Sequence, residues 1–424
     1  MKKLFFVSLS LLLFGASLFA QEPLKVRADA FPPKDENNDV KATINMASTV
    51  ADMANWNRYP TYETYIAMMQ GWAEEFPTLC HLDTIGVSVN GRQILSMYIE
   101  VQTVVDLYRP EFFYSSTMHG DEVTGFVMML RLIDTLLHGY GSNEQYTELI
   151  NHTRISINPL SNPDGTYRSG NHTVRNAMRY NANFVDLNRN YPDPFGTEPM
   201  QSQQPENTAM INYVTNHNFR LSANLHGGAE VMNYPWDSFT SNEQPHPKRD
   251  WWISVCQRFI DTSRSYSNSH FRDTYPSGYT AGGDWYVISN GRQDYMNHYH
   301  NCLEMTMEIS SDKTLNSDLL PEYWRFLQHP LVNYIEEIHN IDNSSAIEEV
   351  TSLPASTQIA IYPNPSKDKI FIREELTNQI ELFDIKGIRL MQLPAGSRLV
   401  DLQGLPQGIY FLRSGNRTGK IVKR

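Results

Sequence analysis

Two distant points on this chain have to meet if its polar residues are to do anything together. They are Met118–Glu122 (M-H-G-D-E) and His226. The run before the first, Glu111–Thr117 (E-F-F-Y-S-S-T), is strand-like. The run after it, Val123–Leu137, has its apolar residues at helical spacing. His119 is therefore expected to leave a strand, with Glu122 in the first turn of the helix. His226 follows the short strand-like run Leu221–Leu225 and precedes Gly227-Gly228. Ligand groups collect at such strand ends in open α/β sheets. Two imidazoles and a carboxylate can hold one divalent ion and leave a fourth position for water, which is how catalytic zinc centres are built. The pair alone also has a blander reading: a surface histidine beside a Glu attracted to the positive end of a helix.

The chain is long enough, at 424 residues, for two or three domains. Met1–Ala20 reads as a secretory signal: Lys2 and Lys3, an apolar run from Leu4 to Phe14, then small residues. That run is too short to span a bilayer, and no transmembrane segment is expected in the mature protein. Residues 21–52 read as a linker or pro-segment, 53–342 as the main domain, 343–355 as a Ser/Thr-rich linker and 356–424 as a small β domain. The formal charge of -12 argues against nucleic acid as a partner. It is unevenly spread, since residues 355–424 hold 11 Lys and Arg against 6 Asp and Glu. Two differently built units are implied. Of the three cysteines at least one is unpaired, and Cys256–Cys302 is a candidate bridge.

In the main domain, Tyr62, Ile66, Met69 and Trp72 recur at helical spacing within Tyr59–Thr78. Leu82–Val104 alternates around Asn90-Gly91, a hairpin signal. Strands and helices then alternate to about Asn340, which predicts an α/β fold with a mixed central sheet covered by helices. Asn158–Gly165 and Asn183–Pro192 are expected to be loops, the first because two prolines and a glycine disfavour regular structure. Cys302–Ser310 places Leu303, Met305, Met307 and Ile309 on one face and Glu304, Thr306 and Glu308 on the other. Either it is an edge strand with a wet face, or its polar face lines a site. From Gln358 onward, short alternating strands broken by turns predict a small β-sandwich.

Two longer phrases sharpen this: D-L-N-R-N-Y-P-D at Asp186–Asp193 and N-L-H-G-G-A-E-V-M-N-Y-P-W-D at Asn224–Asp237. With them, residues 60–340 resemble the zinc metallocarboxypeptidase (funnelin) family, and within it the N/E branch of processing enzymes. The resemblance implies one Zn2+ per catalytic domain, held by His119, Glu122 and His226. It implies Glu308 as the catalytic glutamate and Arg179 as the group that polarises the scissile carbonyl. Asn188 and Arg189 would grip the substrate's terminal carboxylate, and Tyr286 would be the mobile cap. Asp237 and Gln293 fall where the branch reads basic side chains, so terminal Lys or Arg is the expected preference. Asp121 departs from other branches, which carry an Arg there, and the usual transthyretin-like domain is missing. In its place, I-Y-P-N-P-S, I-E-L-F-D-I-K-G and G-I-Y-F-L-R, closed by K-I-V-K-R, resemble a type A sorting domain of the type IX secretion system. That implies the type IX machinery as a partner and a secreted or outer-surface location.

The chemistry is sound in its own terms. A bound zinc acidifies water and polarises a carbonyl. Glu308 can take the water's proton and pass it to the leaving amine. A terminal carboxylate is planar and suits an Arg fork. The expected substrates are peptide or protein C-termini. Two alternatives keep the same residues: a zinc amidase on cell-wall peptides or acyl-amino acids, and a non-catalytic peptide-binding relative.

Overall fold

The computed structural model describes residues 43–101, 109–196, 201–341, 359, 361–373, 375–384, 389–415 and 417–424. The expected signal and the 343–355 linker lie outside the described residues, as does most of 21–52. The chain divides into two compact units at residues 344 and 345.

The first unit is built on eight strands: β1 (Cys80–Val87), β2 (Gln93–Ile99), β3 (Glu111–Ser116), β4 (Arg154–Asn158), β5 (Phe219–His226), β6 (Ala229–Tyr234), β7 (Tyr279–Ala281) and β8 (Leu303–Ser310). Their order across the sheet is β1-β2-β4-β3-β5-β8-β6-β7. The β1–β2 hairpin turns at Gly91, whose φ of 81 is in the left-handed region that glycine tolerates. The centre of the sheet, β4-β3-β5-β8, is parallel throughout. All four strands therefore end at one edge. Ser116 of β3 lies level with Leu225 of β5, and Glu308 of β8 lies level with His226 of β5. That register brings the ends of β3, β5 and β8 together.

The longer helices of this unit include α1 (Tyr62–Glu75), α2 (Thr124–Gly139), α3 (Arg249–Tyr266), α4 (Arg292–Tyr299) and α5 (Leu320–Glu336). Helix α1 starts at Thr61, whose hydroxyl accepts from the Thr64 amide. Helix α2 is buried along most of its length and lies directly on the sheet. Gly125 permits this, because a Cβ there would collide with Ser116 Oγ.

Of the two readings of Cys302–Ser310 the wet edge falls: β8 lies between β5 and β6 with every residue buried. Two other expectations need correcting. The stretch Asn158–Gly165 contains a helical turn, Pro163–Thr166, started by the Asn162 side chain with Pro163 in the first turn. Proline fits there because that amide has no partner within the helix. No cysteine bridge forms, since Cys80, Cys256 and Cys302 are all free and buried. Cys302 Sγ instead lies 3.1 Å from Ser222 Oγ.

The second unit holds two antiparallel sheets. One joins Ile361–Tyr362, Lys369–Ile372 and Leu399–Asp401; the other joins Arg389–Leu393, Ile380–Asp384, Gly408–Ser414 and Arg417–Lys423. Ile370, Ile380, Leu382, Val400, Leu412 and Ile421 form its buried core.

Candidate metal centre and substrate pocket

His119 and Glu122 occupy a tight turn between β3 and α2, where the Glu122 amide donates to the His119 carbonyl at 3.1 Å. Glu122 is not in the first helical turn as expected. The Val123 amide is engaged by the Lys313 carbonyl at 3.0 Å, and the helix begins after it, at Thr124. His226 ends β5. Its Nδ1 lies 3.0 Å from His119 Nδ1 and 2.8 Å from Glu122 Oε2. His119 Nδ1 is 3.1 Å from both Glu122 oxygens, and all three residues are buried. They are the one group of three or more His, Cys, Asp or Glu side chains among the described residues placed to share an ion.

The chemistry of this donor set fits zinc. Asp186 Oδ1 lies 3.1 Å from His119 Nε2, so the Nε2–H donates to it and Nδ1 keeps its lone pair. His119 Nδ1, His226 Nδ1 and Glu122 Oε2 lie 2.8–3.1 Å from one another, close enough to share one ion. Tetrahedral zinc with bonds of about 2.0–2.1 Å separates its ligand atoms by about 3.3 Å, close to the spacing found. Asp186 stands in the D-L-N-R-N motif, yet sequence reasoning gave it no task. It also accepts from Arg179 Nε at 2.9 Å. Burial opposes its ionisation, but His119 and Arg179 hold its carboxyl far below the usual range.

Beside the three ligands is a cavity lined by Arg179, Asn188, Asp237, Tyr286 and Glu308. Glu308 Oε2 is buried without a partner. Burial pushes this carboxyl well up, and the Glu122 carboxylate adds to the shift. Arg179 Nη1 is 3.2 Å from His119 Nδ1 and 3.5 Å from Glu122 Oε1. The Asn188 carbonyl Oδ1 accepts from the Arg292 amide at 2.9 Å, which leaves the Asn188 NH2 for a ligand. Arg189 stands behind it, Nη1 donating to the Asn188 main-chain carbonyl at 2.9 Å.

Asp237 is buried in this wall. Its amide and that of Ser238 donate to the Asp294 carboxylate at 2.8 and 2.9 Å. Gln293 Nε2 donates to Asp237 Oδ1 at 2.7 Å, and Gln293 Oε1 accepts from the Thr306 amide at 2.6 Å. Gln293 therefore supports Asp237 from behind. Burial pushes the Asp237 carboxyl well up, with Asp294 adding to it. A Cβ at Gly282 would collide with Asp237 Oδ1, so glycine is required there. Sequence reasoning missed Asp294 and Arg292. It also left Asp121 unpartnered, whereas Lys313 Nζ lies 3.1 Å from Asp121 Oδ2 and 3.5 Å from Glu122 Oε1.

Comparison with known proteins agrees with this geometry. Residues 65–330, well over half of the chain, match the family described as zinc carboxypeptidase. The chain belongs to the zinc carboxypeptidase family. Residues 360–424 match the secretion system C-terminal sorting domain. Carboxypeptidase D of Mus musculus is 33% identical over 296 residues, 67% of this chain and 21% of the relative. The chain thus spans about a fifth of the length of that relative. Carboxypeptidase M of Mus musculus is 33% identical over 302 residues, 66% of each chain. Within the family these are the N/E-type homologues that the two long phrases implied. The crystal structure of carboxypeptidase A from Helicoverpa armigera shares the fold, with a TM-score of 0.58 at 19% identity over 68% of this chain and 75% of that one. Among the described residues, no helix is long and apolar enough to cross a membrane.

Proposed function

We propose that this protein is an exported zinc carboxypeptidase that removes the last residue of peptides or proteins and prefers terminal Lys or Arg. One observation carries the reading: a buried, unpartnered carboxylate oxygen on Glu308 shares a cavity with His119 and His226, which form a triad with Glu122. When bound, zinc supplies a Lewis acid and acidified water. Glu308 takes the proton of the attacking water and hands it to the leaving amine. Its raised proton affinity suits that exchange. Arg179 stands beside the triad to stabilise the oxyanion as charge develops. The free NH2 of Asn188, with the Arg189 guanidinium behind it, binds the substrate's terminal carboxylate. Tyr286 lines the same cavity and closes over the substrate.

Residues 53–342 are the catalytic unit in this reading. Residues 356–424 direct the chain to the type IX machinery and then to the medium or outer surface. The match of residues 360–424 to a sorting domain supports that role.

The basic preference rests on Asp237. A carboxylate that is costly to ionise in an empty pocket becomes favourable once a cation enters, because each charge then has a partner. The test is the ratio of kcat/KM for peptides ending in Arg and in Phe. Wild type is expected to favour Arg, and Asp237→Ala to lower the ratio at least roughly tenfold, the scale of losing a buried partner. A wild type that favours Phe, or a ratio that Asp237→Ala does not move, contradicts the assignment.

A further inference from the structure

Phe184 is 70% exposed and lies in the left-handed backbone region, at φ 60. Both features are unfavourable for a phenylalanine. Its ring stays in water, and its Cβ crowds the backbone in a conformation that glycine adopts freely. Strain of this kind persists where the surroundings impose it, and it clusters at binding sites.

The surroundings here are tightly built. Asn181 closes the loop around Phe184: its amide donates to the Val185 carbonyl at 3.1 Å, and the Phe184 amide donates back to the Asn181 carbonyl at 3.0 Å. Asn181 Oδ1 accepts from the amides of Asn183 and Val185, both at 3.1 Å. Its Nδ2 donates to Gln204 Oε1 and Glu206 Oε2, at 2.9 and 3.0 Å. Asn181 is fully buried, so the clamp is part of the fold while the ring it presents is not.

The loop is joined to the metal-binding turn. The Gly120 amide, between the ligands His119 and Glu122, donates to the Arg179 carbonyl at 3.2 Å. A Cβ at Gly120 would stand 2.6 Å from the Met178 carbonyl oxygen, so the backbone leading into the loop presses on that turn. At the loop's exit Asp186 holds His119. Tyr180, next to the cavity-lining Arg179, is a second exposed aromatic side chain, at 42%.

We propose that Phe184, with Tyr180, forms an apolar shelf at the mouth of the site that binds the side chain of the second or third substrate residue upstream of the scissile bond. This shelf presupposes the peptidase reading. An extended peptide advances about 3.3 Å per residue, so those residues pass roughly 7–10 Å from the metal centre. Phe184 is two residues from Asp186, which itself touches a ligand, so its Cα lies within about 7 Å of that residue's. The preferred substrate then carries an apolar or aromatic residue at one of those positions, whatever its last residue is.

The test uses the full chain with zinc and five-residue peptides that share one terminal residue. Ser, Leu or Phe is placed second or third upstream of the scissile bond. At one of the two positions Phe should raise kcat/KM roughly three- to tenfold over Ser, mainly through KM, the range of one exposed aromatic contact. Phe184→Ser and Phe184→Gly should both reduce that gain to below about twofold. Phe184→Gly should melt no lower than wild type, since glycine relieves the left-handed backbone. A flat profile in wild type, a gain that survives both substitutions, or a lower melting temperature in Phe184→Gly would overturn the proposal. If no peptide loses its last residue, the peptidase reading falls and the shelf falls with it. If peptides are cleaved with no upstream preference, the shelf alone falls.

Discussion

Glu304 and Glu308 sit four residues apart on the same face of β8, yet one end of that face is closed and the other open. Glu304 is fully buried and answered from every side. Arg292 Nε lies 3.0 Å from its Oε1, Ser222 Oγ donates to Oε2 at 2.7 Å, and Asn224 Nδ2 donates to Oε1 at 2.9 Å. Arg292 is itself fully buried, donates to Ser115 Oγ and stacks over Phe113. Glu308 is almost as buried, but its Oε2 has no partner and faces a cavity. Burial raises the proton affinity of both carboxyls. The contrast shows that burial alone does not mark a reactive carboxylate. What separates the two is whether the fold supplies donors or leaves that to a ligand.

The largest effect is expected at the open end. Glu308→Gln should fold and keep its metal but turn over at least roughly a hundredfold more slowly, the scale of losing a general base. Normal turnover would move that role elsewhere. Glu304 cannot take it, because Arg292 already holds its charge.

At the closed end the effect should be on stability. Arg292→Met leaves the Glu304 charge buried and alone, and should destabilise by about 3–5 kcal/mol in urea unfolding. Pairing it with Glu304→Gln removes both charges and should recover most of that loss. If the single and double variants are equally unstable, the ion pair is not what holds this end.

A third buried carboxyl gives the smallest effect. Glu230 of β6 lies level with Ile309 of β8 and accepts from the Phe271 amide at 2.9 Å and the Tyr323 hydroxyl at 3.1 Å. Burial, with Asp273 adding to it, raises its carboxyl from 4.5 to about 7. His270, 3.5 Å away, is lowered to about 4 by burial and stays neutral above that. Between pH 4.5 and 7 the folded chain therefore holds a proton on Glu230 that the unfolded chain has lost. Its contribution to stability should fall as pH rises through that window. Glu230→Gln should flatten that part of the curve. An unchanged slope between about pH 5 and 7.5 would remove Glu230 from the account.

The sequence was most legible where one residue type answers to one task. The alternation of β8 follows from its period of two, the ligand set His119, Glu122 and His226 from the resemblance carried by the two long phrases, and the parallel sheet brings them together. What supports them was harder to read. Asp186, Asp294 and Arg292 act on side chains or amides far along the chain, and no local pattern marks such contacts. Asp186 is the partial exception, because it stands inside a motif already singled out. The turn Pro163–Thr166 was hidden because proline and glycine read as breakers, while a side-chain cap at Asn162 makes proline a good first helical residue. A cysteine pair suggests a bridge from its count alone, whereas Cys302 spends its thiol on Ser222.

The proposed exopeptidase activity rests on three buried ligands and one open carboxylate. Its most direct test is mass analysis of a peptide after incubation with the purified full chain, as isolated, after chelation and after zinc is returned. Products shortened from the C-terminus by single residues are expected, none after chelation, and their return with one zinc per chain. Undiminished trimming by the chelated protein, or cleavage only within the peptide, would contradict it.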